Sequence, residues 1–297
     1  MQTPVSRPSG LPYAIGVYEI WGILPLYFRF LEAVPPFEQI GWRVVFTLPV
    51  CIALLIIARQ HSTLRRALTS RVTMMSLTAS SLLIGGNWLI YVTAIATDRV
   101  LAASLGFYIN PLLNVLAGTI FLKEKLSPWQ WLAVGLAGLG VGVLAFGALD
   151  ALWISLGLGV TFCGYGLVKK LAPVEATAGL TIESCLLILP AIGLIYWQST
   201  QPGGISLGKS TVNDIALACA GIFTGLPLLL FTVAARRMSY SALGFVQFIT
   251  PTIVFMLGLF VFKEPLNTVQ LASFVIIWTA IAVFCWDLLR DRRVPKA

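Results

Sequence analysis

Three charged residues, Glu19, Arg43 and Glu183, stand inside long apolar runs, and Glu38 lies at the edge of one. A charge at the bilayer centre costs about 2.5–3.5 kcal/mol on insertion scales, so such residues usually face a cavity or a partner. Arg43 can anchor a substrate carboxylate or phosphate. It can equally pair with Glu19 or Glu38, or snorkel outward. Glu38 and Arg43 are five apart, not ideal same-face neighbours on a helix. Glu183 can meet a substrate amine or carry a coupling proton, because desolvation favours the neutral form of a carboxylate. Its plainer role is a hydrogen bond to a neighbouring helix. Glu19 is central in the first apolar run and is expected to face the bundle interior.

Uncharged polar groups recur at helical spacing. Asn87 and Tyr91 are four apart, as are Asn110 and Asn114; Gln247 precedes Pro251 by four. With Tyr165 they can line an amphiphilic pocket, where aromatic rings supply area and amides fix orientation. The alternative is interhelical hydrogen bonding, worth about 0.6 kcal/mol each in membranes. Trp88 is expected to point away from Asn87, toward lipid. The cavity set is therefore Glu19, Arg43, Asn87, Tyr91, Asn110, Tyr165, Glu183 and Gln247.

Other chemistry has little material. His61 is the only histidine and lies in a basic stretch. Cys51, Cys163, Cys185, Cys219 and Cys285 all lie in apolar runs without CxxC spacing, and are read as buried free thiols. No metal, cofactor or His-based triad is expected. Gly135, Gly138, Gly140 and Gly142 crowd one run without the basic and hydroxyl residues of a P-loop. Gly138 and Gly142 have small-xxx-small spacing, which fits close packing within the monomer or a homodimer seam. A membrane-embedded enzyme would need paired carboxylates or an activated nucleophile, and a passive channel a continuous ring of polar groups.

The elements that position these groups follow from composition. The 297 residues are 58% hydrophobic and 11% charged, with mean hydropathy +0.89. Soluble domains are about 25% charged. The solvent for this surface is lipid. Ten runs are long enough to span a bilayer: 11–29, 38–58, 72–97, 100–122, 128–147, 151–168, 177–197, 212–234, 239–262 and 267–287. The first is read as a retained helix, not a cleaved signal peptide. Pro25, Pro49, Pro111, Pro190, Pro227 and Pro251 interrupt spans and are expected to bend them.

The net charge of +8 is distributed over short connections, which speaks against nucleic acid as a partner and for topology control. With the N-terminus inside, fifteen basic residues, among them Arg7, Lys169, Lys170, Arg236 and Arg237, fall inside. Only Arg29, Arg99, Lys209 and Lys263 fall outside. Both termini are expected in the cytoplasm.

The chain also repeats itself at a fixed offset, the one that carries Pro111 onto Pro251. The same step carries Gly118 onto Gly258 and Lys123-Glu124 onto Lys263-Glu264. Leu126 matches Leu266, and the register runs back to Gly85/Gly225. Earlier it weakens: Arg29 faces Lys169, and Pro49 matches Pro190 after a one-residue shift. Five spans per half is an odd number, so the second half enters the membrane inverted, a plan that places substrate at the midplane between halves.

Ile20-Trp21-Gly22, Gly85-Gly86-Asn87-Trp88, Ala103-Ser104-Leu105-Gly106, Ile109-Asn110-Pro111-Leu112 and Gln130-Trp131-Leu132-Ala133-Val134 resemble the RarD group of EamA-type transporters, in the drug/metabolite transporter superfamily. The resemblance covers essentially the whole chain. It implies an all-α integral membrane protein of ten helices in two inverted EamA repeats, 1–147 and 151–287, followed by a basic cytoplasmic tail, 288–297. It also implies a bacterial cytoplasmic membrane and a small metabolite or drug as substrate, with amino acids and amphenicol-like compounds as candidates. Glu38, Arg43, Asn87, Trp88, Asn110, Asn114, Tyr165, Glu183, Gln247 and Pro251 match the group's pattern. Glu19 does not, so no role for it follows from the resemblance. Alternating access, proton coupling and a homodimer are the mechanistic expectations.

Overall fold

The computed structural model describes residues 9–145, 152–263 and 268–291. Arg7, Glu264, Leu266, the 147–151 connection and most of the basic tail lie outside them.

Each long apolar run is a helix, because a chain in lipid must satisfy its backbone polar groups internally. The helices are α1 (Leu11–Phe28), α2 (Pro36–Ile57), α3 (His61–Thr69), α4 (Arg71–Ala96), α5 (Val100–Ile120) and α6 (Pro128–Ala145). They continue with α7 (Leu152–Leu171), α8 (Ala176–Ser199), α9 (Thr211–Arg237), α10 (Tyr240–Gln247), α11 (Ile249–Phe260) and α12 (Thr268–Asp291). Ten segments are long and apolar enough to cross a membrane, with α10 and α11 forming one of them. Two departures from expectation matter. The basic stretch after α2 is a short amphipathic helix, α3, whose Leu64 and Ala67 pack beneath α4 and α8. And α7 runs about one turn beyond its expected end, carrying Lys169 and Lys170 as helical residues.

All six prolines lie within helices, but only Pro251 stands by a break. The ladder is interrupted at Phe248, where the missing N–H of Pro251 frees the carbonyl four positions earlier, that of Gln247. Pro111 sits in an unbroken α5.

Helix starts recur at the repeat offset. Pro36 pairs with Ala176, Arg71 with Thr211, Val100 with Tyr240, and Pro128 with Thr268, each the first residue of its helix. The α2/α8 pair keeps this offset at its start, so the one-residue shift inferred from Pro49 and Pro190 is absent there. The turns recur as well. Lys123 and its counterpart Lys263 both take the left-handed backbone, with φ of 56° and 54°. After α5 this closes the helix, as Glu124 N–H bonds back to the Gly118 carbonyl at 3.0 Å.

The most extensive contacts join α2 to α8 and α6 to α12, and α10 lies along α5. Glycines permit the closest approaches. A Cβ on Gly221 of α9 would collide with the Phe46 carbonyl of α2, and one on Gly244 of α10 would lie 2.6 Å from the Pro111 carbonyl. Gly140 packs α6 against Ser273 and Ile277 of α12. Gly135, Gly138 and Gly142 have nothing within 4 Å of an added Cβ, so they make no seam within the monomer. The cysteines are free, but only Cys51 and Cys163 are buried; Cys185 and Cys285 are exposed, against expectation.

Candidate functional site

A narrow void lies between α2, α4, α7, α8 and α9, with room for about one water molecule. Its lining includes Val44 and Ser184, Thr47 and Leu187, and Trp88 and Leu228. Each pair is related by the same offset that relates the helix starts. The void therefore sits where corresponding positions of the two halves meet. Arg43 and Glu183, another such pair, flank it with opposite charges.

Glu183 lines the void directly and is 2% exposed. Both its oxygens accept from Lys169 Nζ, at 3.0 and 2.9 Å, and Oε1 accepts a short bond from Ser80 Oγ. Lys169 is 1% exposed and stands 5.8 Å over the Tyr165 ring. Tyr165 stacks on Phe231 at 5.9 Å. The sequence expectation treated Lys169 as part of an inner connection. Its partner Glu183 lies on the next helix, at a separation that no helical spacing rule flags.

Arg43 is held differently. Nε donates to Thr224 Oγ1 at 3.1 Å, and the guanidinium carbon lies 5.3 Å from the Trp88 ring and 5.9 Å from the Phe28 ring. Among the described residues no carboxylate pairs with it. Glu38 accepts instead from Ser206 N–H and Oγ at 2.7 and 2.8 Å, and from Trp42 Nε1 at 3.0 Å. Trp88 thus turns inward, not to lipid, and borders both the guanidinium and the void.

The other expected cavity residues divide. Tyr91 stands close enough to Arg43 to interact electrostatically, and its ring meets Phe107 at 6.0 Å. Asn87 donates to the Leu158 carbonyl and to Thr161 Oγ1, both at 2.9 Å, and so ties α4 to α7. Gln247 Oε1 accepts from Asn114 Nδ2 at 2.7 Å and from Tyr18 OH at 3.5 Å, joining α10, α5 and α1. Asn110 is buried, with its side-chain oxygen unpartnered. Glu19 is the correction. It is exposed and shares its face of α1 with exposed Ile23 and Leu26. The inward face belongs to Trp21, which meets Phe162 at 5.5 Å. Glu19 and Trp21 are two positions apart, which places them on nearly opposite sides of the helix.

One end of the bundle is latched. Lys170 on α7 donates to the Ala235 and Met238 carbonyls at the end of α9, at 2.7 and 2.6 Å. In return Arg236 on α9 donates to the Lys169 and Ala172 carbonyls at the end of α7, at 2.9 and 2.6 Å. The last carbonyls of a helix have no partner within it, and cations are favoured there. Each helix supplies the other's missing donors. The start of α1 lies at this same end, with Gly10 against Ala234 and Arg237. Beside it Glu124 accepts from Tyr240 N–H, Ser241 N–H and Ser241 Oγ, and so caps the start of α10.

The profile of the EamA-like transporter family matches residues 8–146. An uncharacterized transporter of Pseudomonas aeruginosa is 40% identical over 289 residues, covering 96% of each chain. Protein RarD of Escherichia coli K12 is 38% identical over 288 residues, again covering 96% of each. A solved crystal structure superposes with a TM-score of 0.74 at 19% identity, over 97% of this chain and 100% of that one, a likeness of fold.

Proposed function

This chain belongs to the EamA-like transporter family, and we propose that it is a secondary transporter that carries small organic solutes across a bacterial cytoplasmic membrane by alternating access. It is a multi-pass membrane transporter; the mechanism and the substrate range are the proposal. The carrying observation is the void whose lining includes three pairs of residues at the repeat offset, Val44/Ser184, Thr47/Leu187 and Trp88/Leu228. A site placed where corresponding positions of two halves meet can be reached from either end by equivalent motions.

The proposal includes two inverted repeats, 1–147 and 151–287, with both termini cytoplasmic. The start of α1 lies beside the ends of α7 and α9, as an inverted second half requires. In this orientation the latched end is the cytoplasmic one. The enzyme reading has no support from the site, because Glu183 is committed to Lys169, and the hydroxyl that donates to it, that of Ser80, is fully buried. A passive channel needs a continuous path lined by polar groups, and the void has room for only about one water molecule. The Lys169–Glu183 pair is the candidate for proton coupling. Amino acids and amphenicol-like compounds are the substrates to screen, and a homodimer is the oligomeric state to test.

A periplasm-active reporter fused after Ala148 is expected to be active, and one after Lys170 silent. The reverse pattern removes the topology. Uptake by proteoliposomes, with and without a proton gradient, tests transport. Glu183→Gln is expected to lose gradient-driven uptake and keep substrate exchange; unchanged rate and pH dependence would leave Glu183 structural.

A further inference from the structure

Arg43 stands in a membrane span without a countercharge among the described residues. Each carboxylate that sequence makes available is placed elsewhere. Glu183 is held by Lys169 and Ser80, Glu38 by Ser206 and Trp42, and Glu19 is on the outer face of α1. The Lys169–Glu183 pair is neutral as a unit, so the region around the void carries one net positive charge. Only Nε of Arg43 is engaged; neither Nη1 nor Nη2 donates to a described protein acceptor. A guanidinium fork with its outer nitrogens free fits a carboxylate in two parallel hydrogen bonds. An uncompensated charge at this depth is costly, and a bound anion would remove the cost. Arg43 is half-buried as a residue, and its guanidinium is flanked by the rings of Trp88 and Phe28.

We infer that Arg43 anchors the carboxylate of a small organic anion whose flat apolar part lies against Trp88 and Phe28. This rests on the transporter reading and narrows its substrate. Zwitterionic amino acids are disfavoured, because their ammonium group finds no free carboxylate: Glu183 already holds Lys169. Neutral compounds of the same shape leave the guanidinium charge unmet. Tyr27 and Tyr91, both near enough to interact electrostatically with Arg43, border the same site.

The test uses four probes with one aromatic body and four charge states: phenylacetate, phenylacetamide, phenethylamine and phenylalanine. Ligand-induced thermal stabilisation of the full-length protein in detergent reads binding. Phenylacetate is expected to stabilise the wild type most. Arg43→Gln is expected to weaken its apparent affinity about tenfold or more, and Arg43→Lys to fall between, as a point charge without the fork. Equal or greater stabilisation by phenylalanine or phenylacetamide overturns the inference, and so does a lack of response to phenylacetate. These wild-type outcomes decide the matter even if the Arg43 variants fail to fold. Uptake of labelled probes into proteoliposomes separates the two readings. Phenylacetate that binds through Arg43 but is never carried counts against transport and leaves the anchor standing. Uptake confined to uncharged or zwitterionic probes sinks the anchor and spares transport.

Discussion

The two ends of the bundle are built from corresponding residues and differ in how they are held. At the latched end, Lys170 and Arg236 bridge α7 and α9 through each other's terminal carbonyls. Their counterparts in the first half are Phe30 and Ala96, both exposed, and neither can donate a side-chain hydrogen bond. No packing comparable to that of α7 on α9 joins α1 to α4. Lys169 is buried against Glu183, while its counterpart Arg29 pairs with Glu32 at 4.0 Å, with side chains 59% and 75% exposed, and lies 5.3 Å over the Phe262 ring. Corresponding positions offer similar scaffolds, and a few substitutions decide which end carries the cross-helix caps. Alternating access needs two closures of similar free energy. Here they differ in chemistry, which under the proposed mechanism would bias the resting conformation toward closure at the latched end.

The largest contrast should appear in stability. Lys169→Met leaves Glu183 buried without its ion partner and is expected to cost roughly 3–5 kcal/mol. Arg29→Met removes an exposed pair and should cost about 0–1 kcal/mol. Denaturation in detergent measures both; equal losses would erase the distinction between the ends. Combining Lys169→Met with Glu183→Leu should recover most of the loss, since an apolar pair carries no stranded charge.

A smaller effect should follow from cutting the latch. Arg236→Gln keeps an amide donor but removes the charge and one of the two bonds to the end of α7, a loss of about 1.5–3 kcal/mol. Cys163, which is buried near this end and whose carbonyl accepts from Tyr240 OH, can report the opening. With the other four cysteines replaced by alanine, its labelling by a membrane-permeant maleimide should accelerate at least tenfold. An unchanged rate would mean that the caps do not hold the end shut.

The smallest expected effect sharpens the comparison from the other side. Phe30→Lys with Ala96→Arg transplants both caps to the unlatched end. Helix-end cations contribute about 0.3–1 kcal/mol each. Cys163 labelling should rise severalfold, because closing one end favours opening the other. A fall in labelling would contradict the alternation.

The ten spans were legible because long apolar runs separated by basic connections leave few other arrangements. The end of α7 was not, because two lysines in a row read as a connection until the partner of the first is seen. Trp88 and Glu19 were misplaced for opposite reasons. A large apolar ring looks suited to lipid, and a carboxylate looks unsuited to it. Only the packing of α1 and α4 shows that Arg43 draws Trp88 inward and that Trp21 claims the inner face of α1. The correspondence of Arg43 with Glu183 was present in the numbering. The apparent shift between Pro49 and Pro190 concealed it, since proline positions slide along a helix more freely than helix boundaries do.

The backbone contact at Gly221 bears on what moves. Where Phe46 and Gly221 touch through main chain there is no side-chain slack, so α2 and α9 must travel as a single lever. Those helices come from different halves of the sequence. The corresponding helices α8 and α4 pack less extensively, and Ser81 takes the place of Gly221 there. Under the proposed alternating access, a rigid unit of α2 and α9 would be assembled across the duplication, from helices of different halves. A cross-link between α2 and α9 should leave the motion free, whereas one between α2 and α8 should arrest it at the fulcrum.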